Sequence, residues 1–323
     1  MLFLNEHEVA GLLPIEDVMD ALERAFRAQA AGKIRMPLRT MAINDDGLLG
    51  AMPAAINAEP VCLGAKLVTF FVDNATRGVP THQALIALFD ATSGRPLALM
   101  DGRFITEIRT AATSALATRA LARPNPHILA ILGTGVQALA HVEALAQVME
   151  VAELRVWGRT PPKAAELADV ARKRGMHARV AATVSDACRG ADVVCSVTAA
   201  REPIVNAIDI DPGTHLNAVG FGGPMARELS GELMARGRIF VDSLDGAHNE
   251  AANIMLAVRD GHLPAQPALT LLCDVIAGRA AGRQSPEDVT IYDSLGIAIE
   301  DLACARLVYE RASAGGIGTT VAL

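Results

Sequence analysis

Aromatic side chains are nearly missing from this chain, which has one Trp, two Tyr and eight Phe among 323 residues. Aliphatic packing must therefore build the core, and the scarcity argues against the base-stacking platforms that bind single-stranded nucleic acid. Positive charge is also short, with 29 Lys and Arg against 36 Asp and Glu and a net charge of −7. Without a basic stripe, nucleic acid and other polyanions are disfavoured as partners, although a locally cationic pocket for a small anion is not. No apolar stretch approaches the length of a membrane span, and the N-terminus lacks a basic-then-apolar signal segment. The cysteines, Cys62, Cys188, Cys195, Cys273 and Cys304, are odd in number and scattered, with no C-x-x-C spacing. They read as reduced thiols of a cytoplasmic protein rather than as a disulfide framework. The eight histidines form no H-E-x-x-H or comparable cluster, so no metal site is expected. There is no internal repeat and no low-complexity tract.

What is present is apolar bulk, at 51% hydrophobic and 20% charged residues, and a length that suits two domains. The apolar run His127–Leu132 closes on Gly133-Thr134-Gly135-Val136-Gln137-Ala138 and leads into a helix-like stretch from Leu139 to Val148. Strand, glycine turn and helix N-terminus in that order suit a dinucleotide pyrophosphate. Gly133 allows a sharp turn, Gly135 leaves backbone amides bare, Ala138 keeps helix close to strand, and the helix dipole faces the anion. Strand-like Glu153–Gly158, helical Pro162–Arg174, and strand-like His177–Ala182, Ala191–Thr198, His215–Gly220 and Arg238–Ser243 follow. Strands alternating with helices predict an α/β fold, a Rossmann-type doubly wound parallel sheet. Its ligand crevice lies at the carboxyl ends of the strands, so Thr198, Gly220 and Ser243 are expected to face a cofactor.

The first ~115 residues follow another pattern. Ile15–Gln29 is amphipathic through Val18, Leu22, Ala25 and Phe26. Leu38–Ile43, Leu48–Met52, Val61–Phe71 and Ala84–Asp90 read as strands of an antiparallel or mixed sheet, broken by Asp45-Asp46-Gly47 and by Thr92–Pro96. A helix from Arg109 to Leu121 leads through Arg123-Pro124-Asn125-Pro126, a break that marks a domain boundary. In this region Arg39, Lys66 and Arg109 stand in apolar or tight contexts. Strand alternation puts Lys66 on the face of Gly64 and Val68, where a buried ammonium needs an anion. Arg can grip a carboxylate with two parallel hydrogen bonds; Lys adds a point charge and can donate a proton.

Met52-Pro53-Ala54, Gly64–Val68, Pro80-Thr81, Ile105–Ala112, Gly133–Gln137, Pro212–Gly220 and Ser294-Leu295-Gly296 together closely resemble the ornithine cyclodeaminase/mu-crystallin family. The resemblance runs in register over nearly the whole chain. It implies a discontinuous α+β substrate and dimerisation domain, residues 1–122 plus 297–323, around an inserted dinucleotide-binding domain, residues 123–296, with the last helix, about Gly296 to Ala312, returning to the first domain. It also implies a homodimer joined through the first domain, with a nicotinamide cofactor and substrate between the domains. Carried over by match, Arg39, Lys66 and Arg109 hold the substrate α-carboxylate, Arg109 also standing among the cofactor contacts. Thr81 meets the nicotinamide end, and Gly133, Gly135, Val136 and Gln137 the pyrophosphate. Arg159 and Thr160 lie by the adenosine ribose, Thr198 and Val219 along the crevice, and Ser294 near the nicotinamide. Lys66, with a pKa that neighbouring cations depress, is the proton donor or water-positioner.

Family members include cyclodeaminases, an alanine dehydrogenase and imino-acid reductases. The Asp that cyclodeaminases place two residues after the Val-Gly pair is replaced here by Gly222. That points to the reductase branch: an NAD(P)H-dependent reductase of an α-imino acid, with iminosuccinate to L-aspartate as the first expectation. Gly222-Gly223 would leave room for a second carboxylate, with Arg35 as its possible cation. A cyclic ketimine such as pyrroline-2-carboxylate is the close alternative. An ornithine cyclodeaminase and a crystallin-like NAD(P)H-binding protein without turnover are the others. No acidic residue ends the second strand; Arg159 and Thr160 favour the 2′-phosphate of NADP on physical grounds, and NAD stays open.

Overall fold

The computed structural model describes residues 1–221 and 225–322. Two units divide it, Met1–Arg109 with Gly296–Leu323, and Thr110–Leu295. Gly222 and Gly223 lie outside the described residues.

The first unit opens with β1 (Leu2–Leu4), α1 (Glu6–Ala10), α2 (Ile15–Ala30), β2 (Ile34–Arg35), β3 (Thr40–Ile43), β4 (Leu48–Ile56), β5 (Cys62–Phe70), β6 (His82–Phe89), β7 (Pro96–Asp101) and the start of α3 (Arg103–Leu121). Helix α2 buries Val18, Leu22, Ala25 and Phe26, as its periodicity predicts. The turns at Asp45–Gly47 and Thr92–Arg95 join antiparallel neighbours, β3 to β4 and β6 to β7. Helix α3 begins at Arg103 rather than Arg109, so Arg109 is a mid-helix residue. Its first turn, Arg103-Phe104-Ile105, carries none of the small-residue signal that marked the later part. Asp101 receives the amides of Arg103 and Phe104 and so starts the helix early.

In the second unit follow β8 (Ile128–Leu132), α4 (Val136–Leu145), β9 (Glu153–Trp157), α5 (Pro161–Lys173), β10 (Ala178–Val180), α6 (Val184–Cys188), β11 (Val193–Ser196), β12 (His215–Ala218), α7 (Gly231–Arg236), β13 (Arg238–Val241), α8 (Leu244–Asn249), α9 (Ala252–Arg259), β14 (Leu269–Leu271), α10 (Leu272–Ile276) and β15 (Thr290–Asp293). The strands pair in the order β10-β9-β8-β11-β12-β15-β13-β14. Every neighbouring pair is parallel. This is the doubly wound sheet that the alternation predicts, with its order reversing between β8 and β11. Strand β15, inserted between β12 and β13, was not marked in the sequence. It is four residues long, Thr-Ile-Tyr-Asp, and buried throughout, and so short a segment has no periodicity that distinguishes strand from helix.

The chain then returns to the first unit with α11 (Ala298–Gly315) and β16 (Thr319–Thr320). The eight-stranded sheet there runs β16-β1-β7-β6-β5-β4-β2, with β3 on β4. It is mixed: β1 pairs parallel with β7 and antiparallel with β16. Helix α11 packs on β4, β5, β6 and α2. It covers the face carrying Met52, Ala54, Lys66, Ala84, Ile86 and Leu88, all buried. All five cysteines are buried and free. Among the described residues, no helix is long and apolar enough to cross a membrane.

Candidate active site

The first unit gathers its charges beneath the inner face of its sheet. Strand pairing sets Met52, Lys66 and Ile86 side by side across β4, β5 and β6. The Lys66 side chain is only 2% exposed, and its Nζ donates to Asp301 Oδ1 at 2.8 Å and to Thr106 Oγ1 at 3.3 Å. Arg109 Nε reaches the same Asp301 oxygen at 3.3 Å, and Arg109 NH1 donates to Glu300 Oε2 at 2.7 Å. Asp301 and Glu300, in the first turn of α11, are 0% and 1% exposed. The anion that a buried Lys66 requires is therefore supplied by the chain itself.

Gly296 ties the third cation to this group. Its carbonyl accepts from Arg39 NH2 at 3.0 Å. Its φ is +69°, and a Cβ there would stand 2.4 Å from Arg109 NH1. A glycine is required both by the left-handed backbone and by the guanidinium lying against it. Arg39, Lys66 and Arg109 thus come together. Arg35 does not join them: it is exposed on β2 and donates to the carbonyls of Gly32 and Ile34 at 3.2 and 2.7 Å. Thr81 lies just before β6, its carbonyl accepting from Phe71 N at 2.8 Å.

Burial dominates the electrostatics. It lowers the Lys66 pKa to about 8; Asp301 pulls it up, and Arg109 and Arg39 push it down. The direction matches expectation, but desolvation leads and the neighbouring cations contribute less. Burial pushes the Asp301 carboxyl up, and the Lys66 and Arg109 charges outweigh this to hold it down. His82, paired across from Phe70, is lowered to about 4 by burial and then by Lys66 and Arg109, so it is neutral at physiological pH.

In the second unit the selected residues all follow carboxyl ends of parallel strands. Gly133 follows β8 with φ +127°, and a Cβ there would meet the Val197 carbonyl oxygen at 2.8 Å. Among the described residues nothing lies within 4 Å of where a Gly135 Cβ would sit, and Gly135, as N-cap of the helix α4 that starts at Val136 and Gln137, offers no side-chain cap. That helix spans Val136–Leu145, three residues N-terminal of the expected Leu139–Val148. Its amides therefore begin right at the glycine turn, as anion binding requires. Arg159 and Thr160, both exposed, follow β9 and open α5.

Thr198 follows β11, Val219 follows β12 and Ser294 follows β15. Ser196 O accepts from Val219 N at 2.9 Å, and Ala218 O accepts from Ser294 N at 2.9 Å. Ser243 instead caps α8, accepting from Gly246 N at 3.2 Å. Phe221 is exposed and Met52 is buried beside Lys66.

Several further residues belong to these clusters. Glu228, 2% exposed, accepts from Thr198 N at 2.7 Å, Thr198 Oγ1 at 2.5 Å and Gly220 N at 2.8 Å. It braces the loops after β11 and β12; burial raises its pKa against those hydrogen bonds. Asn253 joins it to Asp293, accepting the Glu228 amide at 3.1 Å and donating to Asp293 Oδ1 at 2.9 Å. Glu300 and Asp301 were legible by the same signal that marked Lys66, a charge inside an apolar run, here Gly296–Ala305. His82 and Glu228 had no such signal.

The family model described as Ornithine cyclodeaminase/mu-crystallin family matches residues 1–316. Ketimine reductase mu-crystallin of Mus musculus is 41% identical over 319 residues, covering 97% of this chain and 98% of that protein. Among solved structures, Thermococcus litoralis Δ1-pyrroline-2-carboxylate reductase in complex with NADH and L-proline superposes with a TM-score of 0.95 at 34% identity, covering 99% and 100% of the two chains. Iminosuccinate reductase of Paracoccus denitrificans in complex with NAD+ superposes with a TM-score of 0.92 at 29% identity, covering 100% and 99%.

Proposed function

Since the chain belongs to the ornithine cyclodeaminase/mu-crystallin family, we propose that it is an NAD(P)H-dependent reductase of α-imino acids, adding hydride to the C=N carbon to give an L-amino acid. The observation that carries this reading is the convergence of Arg39, Lys66 and Arg109 around Gly296 and Asp301. Two guanidinium groups and an ammonium in a water-poor setting suit an α-carboxylate.

The glycine turn at Gly133–Gln137 and the uncapped start of α4 fit a dinucleotide pyrophosphate, with Arg159 and Thr160 by the ribose. When bound, the reduced nicotinamide supplies the hydride. Arg109 and Arg39 fix the carboxylate and so orient the C=N carbon. Lys66 Nζ gives a proton to the imine nitrogen, leaving an amine. His82, held neutral, adds no charge that would oppose the iminium.

A substrate with one carboxylate, of the cyclic ketimine class of pyrroline-2-carboxylate, fits best. Two of the three cations already face Asp301 and Glu300, and Arg35, the proposed partner of a second carboxylate, stays on β2. The mouse ketimine reductase and the Thermococcus pyrroline-2-carboxylate reductase support this class. Iminosuccinate is the second reading, favoured by glycine at position 222 and by the Paracoccus neighbour.

The protein is a homodimer in this proposal. The outer face of the first unit's sheet leaves Leu49, Leu67 and Leu85 44%, 47% and 45% exposed, an apolar surface suited to a second copy.

The test follows the loss of reduced-nicotinamide absorbance with NADH or NADPH in two assays. One offers pyrroline-2-carboxylate; the other offers oxaloacetate with ammonium, with an ammonium-free control. Turnover of pyrroline-2-carboxylate alone is expected. Ammonium-dependent oxidation with oxaloacetate would instead establish the dicarboxylate reading. Silence in both would overturn the reductase and leave a cyclodeaminase or a binding protein.

A further inference from the structure

We propose that Asp301 is a positioning residue for the reaction: it acts through Lys66, holding that side chain in its ammonium form and aiming Nζ within the carboxylate-binding cluster. The proposal rests on the reductase reading above.

The geometry is specific. Asp301 Oδ1 is shared between Lys66 Nζ at 2.8 Å and Arg109 Nε at 3.3 Å. One carboxylate oxygen therefore sets the relative position of two of the three cations. The Asp301 side chain is fully buried, and among the described residues its Oδ2 has no hydrogen-bond partner. A buried carboxylate with an unfilled acceptor is costly unless its charge serves its neighbours. Thr106 completes the cradle: its hydroxyl donates to the Gly102 carbonyl at 2.7 Å, so it meets Lys66 Nζ with a lone pair. Lys66 is therefore surrounded by acceptors that favour a protonated nitrogen.

Every neighbouring charge except the two carboxylates works the other way. The titratable and charged groups that act on Lys66 are Arg39 from the segment before β3, His82 from β6, Arg109 from α3, and Asp301 and Cys304 from α11, with Glu300 beside Arg109. Arg39 and Arg109 are permanent cations and disfavour a third. His82 is neutral, and burial pushes the Cys304 thiol up so that it too is uncharged. Glu300 accepts from Arg109 NH1 at 2.7 Å. Burial itself favours the free amine. Among the described residues Asp301 is the charged group that both contacts Nζ and stabilises its charge, Thr106 adding a neutral acceptor. Without it, an ammonium at this position would lose its proton within the physiological range, and with it the capacity to protonate an imine nitrogen.

The experiment compares wild type with Asp301→Asn, Lys66→Met and the Lys66→Met/Asp301→Asn double variant. Imine reduction is followed as a function of pH, and NAD(P)H affinity is read separately from Trp157 fluorescence. Asparagine keeps an acceptor for Lys66 and Arg109 but removes the charge. In wild type, kcat/KM should decline as pH rises through about 8, where Lys66 deprotonates. In Asp301→Asn that decline should move at least one pH unit lower, with kcat reduced about tenfold or more and cofactor affinity unchanged. In the Lys66→Met background, Asp301→Asn should cause little further loss.

The double variant removes both buried charges together, so it leaves no ammonium unpaired and keeps the comparison available if Asp301→Asn alone folds poorly. An unshifted alkaline limb would overturn the proposal. So would a loss on adding Asp301→Asn to Lys66→Met as large as the loss in wild type. Failure of wild type to reduce any imine would instead overturn the reductase reading on which the proposal rests.

Discussion

Arg109 carries two loads, and its substitutions should separate them. The guanidinium lies against Gly296 and pairs with Glu300 and Asp301. Arg109→Ala leaves two buried carboxylates without it, a loss on the order of 3–5 kcal/mol of stability. Arg109→Lys keeps the charge but not the bidentate fork. In Arg109→Lys the imino-acid KM should rise about tenfold or more while cofactor affinity stays nearly constant, a split read from steady-state kinetics beside fluorescence titration. Unchanged KM would remove Arg109 from carboxylate binding.

At the same scale, Asp293 makes a pH-dependent contribution to stability. Burial raises its pKa to about 7, with Asp242 and Glu228 adding to the shift and the Asn253 hydrogen bond opposing it. The folded value lies above the unfolded value of about 3.9. Its stabilising contribution is thus complete below the unfolded pKa and is lost as pH rises through about 7. Asp293→Asn should therefore gain on wild type across that window, by on the order of 1.4 kcal/mol per pH unit. Urea unfolding of both proteins at a series of pH values measures this; parallel curves would show that Asp293 does not titrate there.

Among the elements, the turn from β8 into α4 is the most constrained. Gly133 holds φ +127° with the Val197 carbonyl oxygen 2.8 Å from where a Cβ would sit. Gly133→Ala should strain the backbone by about 1–3 kcal/mol and push β8 from β11. NAD(P)H binding should weaken about tenfold or more, read as lost quenching of Trp157, the single tryptophan at the end of β9. Full affinity in that variant would place the cofactor elsewhere. Helix α11 is the other decisive element. Its Leu302, Cys304, Ala305 and Val308 are buried as a core helix requires, and its first turn delivers Glu300 and Asp301 beneath β5. The apolar residues dock the helix, and that docking places the two carboxylates.

For the whole molecule the testable property is self-association. Leu67 and Leu85 are direct cross-strand partners on β5 and β6, on the face opposite Lys66. The double substitution Leu67→Asp/Leu85→Asp puts two like charges on that face without entering the core. Light scattering should then report monomer, where the homodimer proposed above requires a dimer of the wild type. A dimer that survives would place the interface on another surface.

Local pattern alone determined much of this protein. The glycine turn, the alternation of strands and helices, and the amphipathic face of α2 are properties of nearest neighbours in sequence, and periodicity records them directly. The oddity of Lys66 in an apolar strand was equally plain. Tertiary structure alone decided what Lys66 faces. Asp301 lies 235 residues away, and no spacing rule connects a strand residue to a helix that returns after an inserted unit. The same holds for β15, whose four buried residues become a strand only because β12 and β13 flank them, and for Glu228, whose role depends on the amides of two separate loops, 30 and 8 residues away. Long-range pairing is selected by the burial of charge and backbone in three dimensions, which the order of residues specifies but does not display.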